Sequence, residues 1–302
     1  MSVKLTNPYR DKPGHWIRAN FHGHTKENSP CGKVPLNQAA QMYHAIGARI
    51  MAVTDHDVVT NLETMKKTYP DMVFLQGFEY SKRENLLFVG ETVPPLYELT
   101  LEEALKRADG LLTIVCRPQP RKNEIYWTYA KILALGQLPD GIEIFNGHYG
   151  TPSMLARGLM PQYTALWDEF LTNGHRLRGF ANDDFHEMED FNNAYNMVLV
   201  ENLSSQSVLQ AAKNGCFYAT TGLRLKQILE HDGHIDITLE TPGVGRVIGP
   251  GGKILKESEG YQFEYQATNE AYLRFEANSS TGQLFLQPMF LENVSIKPSE
   301  AR

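Results

Sequence analysis

The feature that most constrains this chain is a pattern met five times: a short apolar run that stops abruptly at histidine, aspartate or glutamate. Trp16-Ile17-Arg18-Ala19 leads into Asn20-Phe21-His22-Gly23-His24-Thr25. Later runs end at Thr54-Asp55-His56-Asp57, Gly77-Phe78-Glu79, Gly141-Ile142-Glu143 and Asn182-Asp183-Asp184-Phe185-His186. Such runs read as strands of a buried sheet. Residues two apart on a strand point the same way, so His22 and His24 project from one face. Two neutral imidazole lone pairs on a rigid strand end suit a divalent cation. A lone H-x-H is better explained as a pair of ordinary strand histidines; the four repetitions turn the reading toward a metal site.

Between these runs the periodicity is helical. Leu36, Ala39, Ala40, Tyr43 and Ile46 follow Pro35 at helical spacing and stop at Gly47. Helices are also expected over Thr60–Tyr69, from a capping box at Thr100 and Glu103, and over Ile125–Leu135, Met154–Leu171 and Ser205–Lys213. Leu112–Cys116 is a continuous apolar strand, as expected when both faces are covered. Strand and helix alternate at least six times, which implies a parallel sheet with crossover helices. In such folds the carboxyl edge of the strands assembles the active site, so residues distant in sequence should converge there.

From about Leu225 the alternation becomes period two without intervening helices, through Ile235–Leu239, Tyr261–Tyr265, Tyr272–Glu276 and Leu284–Leu286. This predicts a main domain over residues 1–224 and a small antiparallel β unit over 225–302. The glycine-rich stretch from Gly243 to Lys253 fails the phosphate-loop spacing and reads as a loop between strands.

With 302 residues, 42% of them hydrophobic and 21% charged, the chain has an ordinary globular composition. A net charge of −6 argues against a generally nucleic-acid-coated surface and leaves room only for a local basic groove. Cys31, Cys116 and Cys216 lie far apart, so neither a disulfide framework nor a cysteine zinc site is indicated. The N-terminus lacks an apolar signal core and no run reaches membrane-spanning length. The cytoplasm is the expected address, without membrane association. Asn202, Asn278 and Asn293 are accordingly not expected to be glycosylated.

His22, His24, His56, Glu79, Asp184 and His186 form a mixed imidazole–carboxylate set suited to zinc, manganese or iron, and too rich in nitrogen for a magnesium or calcium cage. Six ligands exceed the needs of one catalytic ion, so two ions bridged by a carboxylate fit the set. A metal pair acidifies bound water and neutralises charge on an ester oxygen, which favours hydrolysis of a phosphate or related ester.

His22-Gly23-His24-Thr25, Thr54-Asp55-His56-Asp57, Gly77-Phe78-Glu79 and Asp184-Phe185-His186 resemble, in order and spacing, the successive motifs of the PHP (polymerase and histidinol phosphatase) family. The resemblance spans roughly residues 16–222. Gly141–Asn146, Leu166-Trp167-Asp168, Asn182–His186, Gly215–Gly222, Tyr272–Ala277 and Gln287-Pro288 look most like its CehA/McbA-like metallohydrolase branch. The resemblance implies a distorted (β/α)7 barrel with one to three divalent ions at its C-terminal rim. His22, His24, Glu79 and Asp184 would hold one ion, and His56 and His186 would serve another. Asp184, His186 and Arg117 would act in catalysis, and Arg117, Asn146 and Asp183 would meet a small anionic substrate.

The sequence departs from the family pattern where members usually carry His-Pro, here Arg117-Pro118, and near Asn85, where many carry histidine. Both changes remove imidazoles from one metal position, and Arg117 is expected to supply a fixed positive charge there. Glu27 is the candidate for the acidic residue common after the first motif. The favoured expectation is a metal-dependent phosphoesterase. The alternatives are a carboxylester, carbamate or amide hydrolase of the same fold, or a degenerate barrel that binds metal and anion without turnover.

Overall fold

Helix signals and strand signals alternate along the chain, and the computed structural model turns them into one large mixed sheet flanked by helices. It describes residues 4–10, 12–123 and 126–292; Ile125, where one helix was expected to begin, and Asn293 lie outside them. After β1 (Leu5–Thr6), the first half comprises β2 (His15–Asn20), α1 (Leu36–Ala45), β3 (Ala48–Val53), α2 (Glu63–Thr68), β4 (Val73–Tyr80), β5 (Leu86–Gly90), α3 (Leu101–Lys106) and β6 (Leu112–Val115). Then come α4 (Tyr129–Leu133), β7 (Gly141–Asn146), α5 (Pro152–Ala156), α6 (Thr164–Thr172), β8 (Arg178–Asn182), β9 (Tyr195–Val200), α7 (Ser205–Asn214) and β10 (Phe217–Thr220). The remainder is all strand: β11 (Leu225–His231), β12 (His234–Gly249), β13 (Lys253–Gln266), β14 (Tyr272–Ser279), β15 (Gly282–Leu286) and β16 (Met289–Leu291).

Local chemistry explains the helix ends. α1 follows Pro35 and buries Leu36, Ala39, Ala40 and Tyr43 on one face. α3 opens on the Thr100–Glu103 capping box. α7 is capped by Ser204 and closes on Gly215, whose φ of 77° a side chain would resist. No helix among the described residues is long and apolar enough to cross a membrane.

β2, β3 and β4 pair in parallel, as do β6, β7 and β8, while β5 runs antiparallel between β4 and β6. The six strands that deliver the candidate site residues therefore share one direction. β9 and β10 continue antiparallel from β2, and β15, β14, β16 and β1 carry the same sheet into the tail. The ladder thus crosses residue 224, and the chain's own β1 pairs with β16 at the far end.

The hydrogen-bonded path is open, ending at β8 rather than closing into the expected ring. Side-chain amides occupy the missing positions. Asn196 of β9 receives the Ala181 N–H at 3.1 Å and donates to its carbonyl at 2.6 Å. Gln287 does the same for Gly179, at 2.9 and 2.7 Å, and Asn182 accepts from the Phe21 N–H at 3.0 Å. These groups are buried, so their backbone partners would otherwise be orphaned. Past the strand ends, a single parallel bridge joins Gly23 to Phe185 across the same seam.

Candidate metal centre

β2 runs into His22 and His24, β3 into Asp55 and His56, and β4 carries Glu79 at its end. β6 runs into Arg117, β7 carries Glu143 and Asn146, and β8 runs into Asp183, Asp184 and His186. The common direction brings these ends to one rim. Asp57, Arg117 and Asp184 take left-handed backbone conformations there, with φ of 50°, 41° and 51°. Non-glycine residues rarely do so, and such strain gathers at functional sites.

Four ligand atoms face one another at the centre. Nε2 of His22 and Nε2 of His24 are 3.2 Å apart. His22 Nε2 lies 3.0 Å from Asp184 Oδ1 and 3.3 Å from Glu79 Oε2; His24 Nε2 lies 3.2 Å from each. A tetrahedron with edges of this length has its centre about 2 Å from each corner, the length of a zinc–nitrogen or zinc–oxygen bond. All four residues are buried, and Glu79 Oε2 has no hydrogen-bond partner among the described residues. A buried ionised oxygen without a donor is costly unless a cation meets it. The donor set therefore fits zinc, manganese or iron.

The atoms behind these four aim their lone pairs inward. His22 Nδ1 donates to Glu143 Oε1 at 2.8 Å, which leaves Nε2 free to ligate. Glu79 turns its other oxygen to Asn85 Nδ2 at 2.6 Å and Arg117 Nη2 at 2.8 Å. Asp184 Oδ2 accepts from Asn146 Nδ2 at 3.0 Å, with Arg117 Nη1 at 3.7 Å. Each carboxylate thus gives one oxygen to the centre and one to neutral or cationic donors. Burial opposes charge at His22, yet Asp184, Glu143 and Glu79 hold its pKa well above the ordinary value. Burial likewise opposes ionisation of Glu79 and Asp184. Arg117 and His22 keep Glu79 well below the carboxylate range, and His22, His186 and Arg117 do so for Asp184.

The structure brings His56 and His186 to the edge of the centre rather than into the tetrahedron. Both rings stack on His24 at 4.5 Å. His56 Nδ1 is 3.2 Å from Glu79 Oε2, and His186 Nε2 is 3.7 Å from Asp184 Oδ1. Asp183 and Asn146, expected to meet substrate, are turned to other work. Asp183 accepts from the Tyr43 hydroxyl at 2.6 Å and from the Ala194 and Asn192 amides at 2.8 and 2.9 Å, bracing the end of β8. Asn146 is fully buried between Asp184 and Glu143. Glu27 caps α1, accepting from the Leu36 amide at 3.2 and 3.1 Å. Arg117 meets the expected rim, where it lines a cleft of about 280 Å³ together with Arg121, His148, Tyr149 and Arg157.

Two neighbours were not anticipated. His148 Nδ1 donates to Asp190 Oδ1 at 2.6 Å, and its ring lies 4.6 Å from that of His186. Its position just past β7 is the same strand-end signal that marked the others. Cys31 sits with His24 and His56 in a loop that carries no periodicity to reveal it.

No protein-family model matches the sequence, and no curated protein does. Among solved structures, a two-domain protein containing a predicted PHP-like metal-dependent phosphoesterase, from Bacteroides vulgatus, superposes with a TM-score of 0.54 at 14% identity. The match covers 95% of this chain and 98% of that one. The two chains share a fold. PsfC from Pseudomonas syringae matches at 13% identity and a TM-score of 0.45, over 65% of this chain and 87% of its own.

Proposed function

We propose that the chain is a metal-dependent hydrolase of the PHP family, acting on a phosphoester. The observation that carries this reading is the set of four buried ligand atoms around one point, with Glu79 Oε2 left without a donor. The fold shared with a protein containing a predicted PHP-like phosphoesterase supports it. The finer readings travel with it: a distorted seven-stranded barrel over residues 1–224, a β unit over 225–302, closeness to the CehA/McbA-like branch, one to three ions of zinc, manganese or iron, and a cytoplasmic address.

When bound, the metal would acidify a water and polarise an ester oxygen. The chain's residues do the rest. His22, His24, Glu79 and Asp184 would hold the ion, and Glu143 fixes the His22 tautomer. Arg117 faces the cleft beside Arg121 and Arg157, a cationic wall suited to an anionic ester. His148, held by Asp190 on the same wall, is placed to hand a proton to a departing oxygen. The commitment of Arg117 Nη2 to Glu79 favours a second reading, a carboxylester, carbamate or amide substrate that needs less anion binding.

The test is elemental analysis of the purified protein, followed by a screen of p-nitrophenyl phosphate, bis-p-nitrophenyl phosphate and p-nitrophenyl acetate. Metal with chelator-sensitive turnover of a phosphate ester is expected. Turnover of the acetate alone moves the assignment to the second reading; bound metal without any turnover leaves a binding protein, and protein without metal overturns the proposal.

A further inference from the structure

The loop between Thr25 and Val34 lies flat against the metal-binding backbone. Its own turn is closed by Ser29 N–H to Thr25 O at 3.0 Å and Gly32 N–H to Ser29 O at 3.1 Å. Lys33 N–H reaches His186 O at 2.8 Å. Gly32 is required there, because a Cβ would come within 2.4 Å of the Thr25 carbonyl oxygen. Ser29 Oγ accepts from the His56 amide at 3.1 Å and stands 3.3 Å from His24 Nδ1. The loop is thus tied to three of the rim histidines. The residue it holds over them is Cys31.

We propose that Cys31 supplies a sulfur ligand to a second metal position beside the tetrahedral centre, shared with His56 and flanked by His24 and His186. Cys31 Sγ and ring nitrogens of His24 and His56 lie within 4.8 Å of one another. Beside it, His56 Nδ1 stands 3.2 Å from Glu79 Oε2 and His186 Nδ1 3.5 Å from Asp190 Oδ2, and neither buried nitrogen makes a well-formed hydrogen bond among the described residues, so both are open to a cation. The His186 residue is only 8% exposed, so water does not readily substitute. The loop's carboxylate, Glu27, is spent on the α1 amide, which leaves sulfur as this loop's contribution to the rim. A thiolate beside imidazoles selects zinc, cobalt or iron and disfavours magnesium and calcium. On the opposite side Arg117 and Asn85 already satisfy Glu79 Oε1, so the added position falls on the Cys31 side.

This inference rests on the metal-hydrolase reading and is separable from it by spectroscopy. The full-length protein is stripped with chelator and titrated with cobalt(II), following the visible ligand-field bands and the near-ultraviolet sulfur-to-cobalt charge-transfer band. The expected result is ligand-field absorption with the first equivalent and a sulfur band with the second. Cys31→Ser should remove the sulfur band and the second equivalent while keeping the first; Cys31→Asp should restore the second equivalent without the band. Cobalt bound with no sulfur band, or a sulfur band that survives in Cys31→Ser, overturns the Cys31 assignment alone. No cobalt bound at all overturns the metal reading as well.

Discussion

Glu143 reaches the metal centre through His22 Nδ1, the nitrogen turned away from it, and that contact decides which His22 nitrogen carries a lone pair. Glu143→Gln keeps the size and loses the charge. Metal affinity should fall about ten- to a hundredfold, measured by competition with a chromophoric chelator, while circular dichroism shows the fold retained. Arg117 makes a second residue-level test. Its Nη2 is 2.8 Å from Glu79, so Arg117→Ala strands a buried carboxylate. The metal-free variant should lose about 3–5 kcal/mol of stability in urea denaturation. The loss should shrink when metal is present, because the ion then neutralises the same carboxylate. Equal losses with and without metal would mean that Arg117 and the ion do not share Glu79. The sequence made both residues visible, since each interrupts or ends an apolar run. It could not show the division of each carboxylate between ion and guanidinium, which depends on side-chain directions across three strands.

At the scale of elements, the join between α6 and β14 is a buried ion pair. Arg274 meets Asp168 through Nε and Nη2, both at 2.6 Å; the Tyr272 hydroxyl adds 3.0 Å to the same carboxylate, and the guanidinium lies 5.2 Å from the Trp167 ring. Asp168→Ala would leave a buried cation without its partner and should cost about 3–5 kcal/mol in urea denaturation. A cost below 1 kcal/mol would show that Glu276, 2.7 Å from Arg274 Nη1, suffices alone. Leu166-Trp167-Asp168 and Tyr272-Leu273-Arg274 each stood out in the sequence, yet nothing linear ties residues so far apart. Other elements were hidden for local reasons. The expected helix over Met154–Leu171 breaks into α5 and α6 at Gly158, with φ 78°, and Pro161. β5 is an apolar run that the helical patterns around it obscured. Gly243 and Gly245, read as loop, lie inside β12, where a Cβ at Gly245 would meet the Phe263 and Phe275 rings at 2.5–2.7 Å. Those glycines make room for neighbours rather than for a turn.

At the scale of the molecule, the five strand-end signals and the change of period near Leu225 were enough to foresee an α/β sheet with the candidate ligands on one rim and an all-β tail. The closure was not legible. It hangs on Asn182, Asn196 and Gln287, ordinary amides whose partners are backbone groups on other strands, far off in sequence for Asn182 and Gln287. Replacing Asn196 by Leu should cost about 1–3 kcal/mol for each buried backbone group left unmade, read from chemical denaturation.

That seam has a further consequence. His22 and His24 stand on one side of it and Asp184 on the other, so an ion at the centre would act as the buckle of a belt whose leather is only side-chain amides. Without the buckle, the belt should slacken first along this line. Amide hydrogen exchange at Phe21, His24 and Ala181 should therefore be rapid in chelator. It should slow about a hundredfold with free metal at a hundred times its dissociation constant, whereas amides in the β12–β13 hairpin should exchange at the same rate in both conditions.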